Sequence, residues 1–249
     1  MVKSCSVIRL LSPSGTTRAG LRFLVFLILA LQFRVHCVMA ADDQKLARPG
    51  ITISGNVDVL TMSGEHKQDR SNIVVFVEGV SGPYQAQQPR DVPRIGHKGK
   101  RFSPGITPIV RGNSVDFFND DNIFHNVFSL SKTKPFDLGV YPKGSSKLVN
   151  FDRTGLVKIY CNLHPNMVGN ILILNNPYYA VTDTYGNYSI SGVPEGQYRL
   201  RVWYEFSNEL EKTIHLTKGS AHSHSFTITE TKKRVKHKNK YGKPYTGKY

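Results

Sequence analysis

The chain has 249 residues, of which 39% are hydrophobic and 20% are charged. These proportions are ordinary for a folded globular protein and exclude a fibrous or wholly disordered chain. The formal net charge of +15 comes mainly from the two ends, because residues 1–40 hold five cations and residues 231–249 hold eight, without any acid in either segment. Residues 41–230 have a net charge of only +2, so we expect no nucleic-acid partner.

The first 40 residues predict an export signal. A basic leader precedes the apolar run Phe23–Phe33, which has 11 residues, whereas a membrane span needs about 20. Small residues within Val38–Ala40 provide a cleavage site after Ala40. We therefore expect residues 1–40 to be removed as a signal peptide and the mature protein to be periplasmic or otherwise exported. An uncleaved membrane anchor is the alternative, and the bulky residues before Cys37 disfavour lipid attachment there.

After residue 40 the chain consists of short alternating segments rich in Val, Ile, Phe and Tyr, separated by Gly, Pro, Asn and Asp. This pattern predicts β-strands, and their number and spacing predict an all-β fold of one or two sandwiches. The predicted strands are, in chain order, Ile51–Leu60, Asn72–Glu78, Ser114–Asn119, Asn126–Leu130, Val157–Cys161, Asn170–Leu174, Asn187–Ile190, Gln197–Tyr204 and Ser223–Thr229. The segment Gly82–Pro93 predicts a long loop or linker, and the basic tail 231–249 is predicted to be disordered.

Cys161 is the one cysteine left after the predicted signal is removed, because Cys5 and Cys37 lie within it. An exported protein normally pairs its cysteines, so a lone one must pair between chains, lie buried and inert, or bind a metal. Cys161, His164 and Met167 follow one another at C-x2-H-x2-M. A thiolate with a thioether favours copper over calcium or magnesium, and the set differs from the ligands usual in structural zinc.

A mononuclear electron-transfer copper needs two imidazoles, a thiolate and a weak axial methionine. The loop lacks one imidazole, which His125 can supply from 36 residues upstream, after a predicted strand and a polar turn. The sequence therefore predicts one copper ion held by His125, Cys161, His164 and Met167. Taken singly, Met167 could be a core residue, His125 a surface or capping histidine, and Cys161 inert.

The four predicted ligands lie within a longer segment that resembles a known family. Residues from about 101 to 174 resemble a cupredoxin, the Greek-key blue copper fold of plastocyanin and amicyanin, and the short C-x2-H-P-x-M loop is most similar to amicyanin. The matching residues are Phe102–Pro104, Ile109–Gly112, Val115–Phe117, Asn119, His125–Val127, Cys161, His164–Pro165 and Met167. Over most of residues 50–205 the chain also resembles a group of exported bacterial proteins described as methylamine-utilization or plastocyanin-like. The residues that carry this resemblance are Lys134–Leu138, Cys161–Gly169, Pro177–Ala180, Thr182-Asp183 and Arg199–Trp203.

The resemblance implies a role for each residue. His125, Cys161 and His164 would form the trigonal plane of a type 1 copper site, with Met167 as the axial contact. Asn119 would brace the two ligand-bearing loops by hydrogen bonds, unless it is a plain turn asparagine. The edge of His164 would be the place where electrons enter and leave. The implied function is that of a one-electron carrier, with copper cycling between Cu(II) and Cu(I), and not that of an enzyme.

The segments on either side of the cupredoxin-like region have a different resemblance. Residues 179–204, with Thr182-Asp183 and Gly186-Asn187, resemble a carboxypeptidase-regulatory, transthyretin-like β-sandwich, and Ile51–Val80 resembles its opening strands. We therefore expect a discontinuous flanking domain of residues 41–87 and 176–230, with a cupredoxin domain of residues 88–175 inserted in it. One enlarged cupredoxin with extra hairpins is the alternative. No acid–base pair or nucleophile is evident in the flanking part, so a scaffold or contact surface is expected.

Other features leave alternatives open. His222 and His224 lie on one face of a predicted strand and could bind a second metal or face solvent. The basic tail could dock an acidic redox partner, an anionic membrane or a cell-wall polymer, or it could be a solvated end. His97, His215 and His237 receive no predicted role. The functions that compete with an electron carrier are copper storage, delivery or sensing, and a structural or adhesion role in the cell envelope.

Overall fold

A computed structural model describes residues 50–82, 92–233 and 235–245. The predicted signal peptide and most of the predicted loop Gly82–Pro93 lie outside the described residues. Within them the chain forms strands and turns without a helix, which confirms the all-β prediction, and no helix is present that could cross a membrane. The strands are β1 (Ile51–Leu60), β2 (Val74–Glu78), β3 (Arg94–His97), β4 (Phe102–Ser103), β5 (Ile106–Val110), β6 (Ser114–Asn119), β7 (Val127–Ser129), β8 (Phe136–Asp137), β9 (Ser146–Asn150), β10 (Gly155–Cys161), β11 (Val168–Leu174), β12 (Tyr179–Val181), β13 (Asn187–Val193), β14 (Gly196–Trp203), β15 (Leu210–Leu216), β16 (His222–Ser223) and β17 (Phe226–Thr229).

Residues 94–174 form two facing sheets, called here the central sandwich. One sheet has the strand order β5-β11-β10-β7-β8 and the other β4-β3-β6-β9. Alternation along each strand determines which side chains enter the core. In β10, for example, Val157, Ile159 and Cys161 are buried while their neighbours are half-buried. The period of two thus places the cysteine on the inner face at the end of its strand.

The strands before and after the central sandwich in the chain form two further sheets together, called here the flanking sandwich. One has the order β13-β1-β16, with β17 also paired to β1, and the other has the order β12-β2-β14-β15. Its core is separate and includes Ile53, Val59, Val75, Leu200 and Ile214. The first and last thirds of the described chain therefore build this sandwich together. The residue limits of the two predicted domains stay a prediction.

Strand β2 explains how the two sandwiches meet. Its first four residues are all buried, unlike the alternating strands. Val75 and Val77 face the core of the flanking sandwich. Val74 and Phe76 point the opposite way and join a small cluster with Leu172 of the central sandwich. A continuous apolar run is the pattern of a strand covered on both faces, so β2 joins one sandwich to the other.

Candidate metal centre

The four predicted ligands reach one end of the central sandwich from two connections. Cys161 is the last residue of β10, and His164 and Met167 lie in the short loop before β11. His125 lies between β6 and β7. Because Val127 of β7 pairs directly with Cys161, the histidine two residues earlier is brought beside the sulfur. Sheet pairing therefore joins residues that are 36 positions apart in the chain.

The donor atoms converge. The Sγ atom of Cys161 lies 3.6 Å from Nδ1 of His125 and 3.4 Å from Nδ1 of His164. The ligand atoms of these three residues all lie within 4.8 Å of one another, and no other such group of His, Cys, Asp or Glu occurs in the described parts of the chain. All three side chains are buried.

These distances fit a metal ion. Bonds of about 2.3 Å to a thiolate and about 2.0 Å to an imidazole, at tetrahedral to trigonal angles, separate sulfur from nitrogen by about 3.5 to 3.7 Å. The two S···N separations, 3.6 and 3.4 Å, are close to this range. The set of one sulfur and two imidazole nitrogens is the trigonal set that an electron-transfer copper requires.

Met167 is held near the other three by the backbone of its loop. The Cys161 N–H donates to the Met167 carbonyl at 3.1 Å, and the Met167 N–H donates to the His164 carbonyl at 3.1 Å. The methionine side chain is fully buried and belongs to the same core cluster as Cys161. Its position is therefore compatible both with a ligand and with a plain core residue.

Burial controls the charge of the site. Burial raises the pKa of the Cys161 thiol, although backbone N–H groups of Asn126, Leu163 and His164 act in the opposite direction. Burial and the nearby His125 lower the pKa of His164 to about 4. Burial likewise lowers the pKa of His125 despite the neighbouring Asp121 carboxylate. Both imidazoles are thus neutral near pH 7, which is the form that binds a metal.

Asp121 orients His125, and the sequence analysis missed it. Its Oδ2 atom lies 2.9 Å from Nε2 of His125, while Gly99 and Lys100 donate their backbone N–H groups to the same carboxylate at 2.6 and 3.0 Å. A carboxylate that accepts the Nε2 proton fixes the tautomer and leaves the Nδ1 lone pair directed at Cys161. Its position four residues before His125, in the polar turn, was the available signal.

Asn119 is buried and braces one ligand-bearing loop. Its side-chain amide donates to the carbonyls of Ile123 and Tyr141, at 2.9 and 3.2 Å, and its Oδ1 accepts from the Asp121 N–H at 2.9 Å. These contacts hold the loop that leads to His125. The connection to the second loop is made elsewhere, by the Asn162 N–H donating to the Asn126 carbonyl at 2.8 Å. Asn119 therefore braces the loop of His125 alone, and the backbone hydrogen bond between Asn162 and Asn126 links the two loops.

His97 received no predicted role, yet it lies beside the site. Its ring centroid is 4.9 Å from that of His125, and its Nε2 is 3.3 Å from the hydroxyl of Tyr141. Burial is the main cause that lowers the pKa of His97 to about 3. It is therefore a neutral packing partner of the predicted ligand His125. No pattern in the sequence around His97 indicates that it lies next to His125.

Comparisons with known proteins found similarity to several solved structures. No protein-family model and no curated protein matches the chain. A novel purple cupredoxin from Nitrosopumilus maritimus is 26% identical and covers 33% of this chain and 99% of its own, with a TM-score of 0.31. A reduced Cu(I) form of an amicyanin mutant is 16% identical, covering 40% and 98%, with a TM-score of 0.33. A Cu-containing nitrite reductase from Thermus scotoductus is 23% identical, covering 39% and 25%, with a TM-score of 0.34. The case for the site rests on its geometry.

The described residues of the basic tail, 231–233 and 235–245, lie against this end of the central sandwich, although the composition of the tail predicts disorder. The ring of His237 contacts that of Tyr160 at 4.7 Å between centroids, and its Nε2 is 3.1 Å from the His164 carbonyl. The hydroxyl of Tyr245 donates to the Cys161 carbonyl at 2.7 Å. Lys240 donates its N–H to the Asn162 side chain at 2.9 Å. The described tail residues thus contact residues 161–167, called here the ligand loop because they include three of the predicted ligands, at these two carbonyl groups and one side chain.

His222 and His224 lie in the flanking sandwich, where His222 is part of β16. Nε2 of His222 lies 2.9 Å from the Thr217 carbonyl, and Nε2 of His224 is buried without a hydrogen-bond partner among the described residues. Neither belongs to a group of three or more potential metal ligands within the described residues. Within the described residues, no third His, Cys, Asp or Glu therefore lies close enough to His222 and His224 to complete a second metal site.

Proposed function

We propose that this protein is an exported one-electron carrier that holds one copper ion through His125, Cys161, His164 and Met167. The observation that supports it is the convergence of the Cys161 sulfur with the Nδ1 atoms of His125 and His164, at 3.6 and 3.4 Å, at one end of the central sandwich. When bound, the copper would supply the one-electron change between Cu(II) and Cu(I). The proposal is of a carrier rather than an enzyme.

The protein frame suits this role because it resists rearrangement. His125 is fixed at Nε2 by Asp121, its backbone is paired with Tyr141, and the loop of Cys161 is closed by hydrogen bonds to Met167. A site whose ligands do not move between two oxidation states needs little reorganisation when an electron is exchanged. The rigid core of the central sandwich thus contributes directly to the proposed transfer.

Access to the site is uneven. The side chains of Cys161 and His125 are fully buried, whereas His164 is 8% exposed and lies between the half-exposed Leu163 and Pro165. A redox partner therefore approaches the metal most closely at His164. We propose that such a partner is acidic and docks near His164 or the basic tail, and peripheral contact with a membrane or cell wall is the alternative use of the tail's charge.

The visible spectrum of the purified protein after addition of Cu(II) tests the proposal. A thiolate–copper site of this type gives an intense band near ~600 nm, which should vanish in Cys161→Ser and persist in His222→Ala. The band should also bleach and return through cycles of reduction and reoxidation. A colourless protein that binds Cu(I) and releases it to an acceptor would instead support storage or delivery. A protein indifferent to copper would refute the site assignment.

A further inference from the structure

The folded tail creates a groove that the central sandwich alone does not possess. One side is built by β7, β10 and β11 with Glu205 and Phe206 after β14, and the other by the described tail residues 232–233 and 235–242, with a cavity of about 620 Å³ between them. We call it the lysine groove. The tail is held there by the contacts of His237, Lys240 and Tyr245 to the ligand loop. Lys240 also forms an ion pair with Asp137 at 2.5 Å.

The groove combines positive charge with an apolar floor. Lysines contribute from both sides, and Glu205 is the acidic residue of the lining. The lysines are Lys158, Lys232, Lys233, Lys236 and Lys238. The exposed part of the floor is mainly Leu130, which is 62% exposed, and Tyr160, Val168 and Phe206 beside it are half-buried; Phe128 also lines the groove but is buried. Five ammonium groups around one carboxylate produce a field that attracts anions. The exposed apolar surface offers binding free energy to a side chain that covers it.

We propose that the lysine groove docks an acidic segment of the redox partner, with at least one apolar side chain of that segment placed on the groove floor. The shape favours a protein segment over a membrane, because a planar lipid surface touches the rims of a concave groove and leaves its floor uncovered. A free inorganic anion would satisfy the lysines but would also leave Leu130 and Tyr160 exposed to water. A segment that carries both carboxylates and an aliphatic group matches both parts of the lining.

The position of the groove connects docking with the metal site, and in this respect the inference rests on the proposed function. Tyr160 of the floor directly precedes Cys161, and the tail that forms the opposite side donates to the Cys161 carbonyl. A partner segment in the groove would therefore lie beside the backbone of the ligand loop. Docking and electron exchange would take place on one face of the molecule.

The test uses the full-length mature protein loaded with Cu(I) and a fluorescently labelled ten-residue peptide of glutamates interrupted by two leucines. We expect saturable binding that weakens as salt is added, because exposed charges are screened. In the Cu(I) protein, which is diamagnetic, the amide NMR signals that shift should be those of Lys158, Tyr160 and Val168. Shifts confined to the Leu163–Pro165 end, or no saturable binding, would overturn the inference.

Two charge-matched variants separate a groove from a general charge effect. The triple variant Lys232→Glu, Lys236→Glu and Lys238→Glu reverses three groove lysines, and should weaken peptide binding about tenfold or more. The control Lys147→Glu, Lys212→Glu and Lys218→Glu changes the net charge equally at exposed positions outside the groove, and should change binding less than about threefold. Equal weakening by both sets would overturn the inference.

Competition identifies the occupant. Anionic phospholipid vesicles or inorganic phosphate that displace the peptide at equal charge concentration would overturn the assignment to a protein segment, and so would equal binding of a peptide without leucines. The visible spectrum of each variant after reoxidation reports whether the copper site is intact. A normal spectrum without peptide binding refutes the groove alone, whereas binding without any copper band refutes the proposed carrier function alone.

Discussion

The contact between Asp121 and His125 permits a quantitative prediction. Asp121→Asn keeps the size of the side chain but replaces one acceptor oxygen with a donor. In the wild-type protein the Asp121 carboxylate accepts from three donors, His125 at 2.9 Å and the N–H groups of Gly99 and Lys100 at 2.6 and 3.0 Å. In either orientation the new amide nitrogen faces at least one N–H group. Loss of such a contact to a metal-binding histidine typically costs 10–100-fold in affinity, so we expect the copper dissociation constant to rise by about 10–100-fold, or about 1.4–2.7 kcal/mol.

Competition with a coloured Cu(I) chelator measures this change directly, and a urea titration of the same variant reports whether the fold is preserved. Asp120→Asn is the matched control, because Asp120 is the exposed neighbour and does not contact His125. Its affinity for copper should stay within about twofold of the wild-type protein. An unchanged affinity in Asp121→Asn, with normal unfolding, would show that the carboxylate does not orient the ligand.

Three further predictions concern the tail, the methionine and the flanking sandwich. Tyr245→Phe removes the hydrogen bond to the Cys161 carbonyl and should lower the free energy of unfolding by about 1 kcal/mol. Tyr241→Phe, at a 73% exposed position where the hydroxyl contacts only the solvent-exposed Lys240, should lower it much less; equal results for the two would mean that the tail does not hold the loop. Met167→Leu conserves volume and should change stability by less than about 1.5 kcal/mol, yet it should shift the reduction potential if the thioether is a ligand; an unchanged potential would assign Met167 to the core alone. Burial acts to raise the pKa of Glu230, but hydrogen bonds from Lys67 and Tyr204 outweigh burial and place the pKa below its usual 4.5. The ionised carboxylate therefore stabilises the folded protein above the unfolded pKa of Glu230. This stability is lost as the pH falls through the folded pKa. Urea titrations between about pH 5 and pH 3 should therefore show a smaller loss of stability in Glu230→Gln than in the wild-type protein.

Nine of the seventeen strands in the described residues, and most of the site geometry, could be predicted from local patterns, whereas shorter or less regular strands such as β3, β8 and β12 could not. Alternation in Val157–Cys161 is visible in the sequence, and the structure buries the same set of side chains. The spacing of Cys161, His164 and Met167 places three candidates on one short loop, so their proximity follows from chain connectivity. His125 needed one further assumption, that its strand lies next to that of Cys161, and the pairing of Val127 with Cys161 provides it.

Other features depend on contacts that no local pattern encodes. Asp121 and His97 acquire their positions because β3 lies parallel to β6, which brings the turn after His97 against the turn before His125. The tail was predicted to be disordered because residues 231–249 have many charges and few aliphatic side chains. The tail is instead described through single contacts of His237, Lys240 and Tyr245 with a surface that exists only after the central sandwich has formed.

The division of the flanking sandwich across the chain has a consequence for the order of folding. Strand β1 is synthesised first, yet Ile53 pairs with Ile190 and Val59 with Ile228. During translation or export, all strands of the central sandwich emerge before β1 meets any of its partners. Pairings this distant in sequence form slowly, and an apolar strand without neighbours is prone to aggregate. A product terminated shortly after Leu174 would thus contain all four proposed metal ligands and still leave β1 without its partner strands, so we expect it to aggregate.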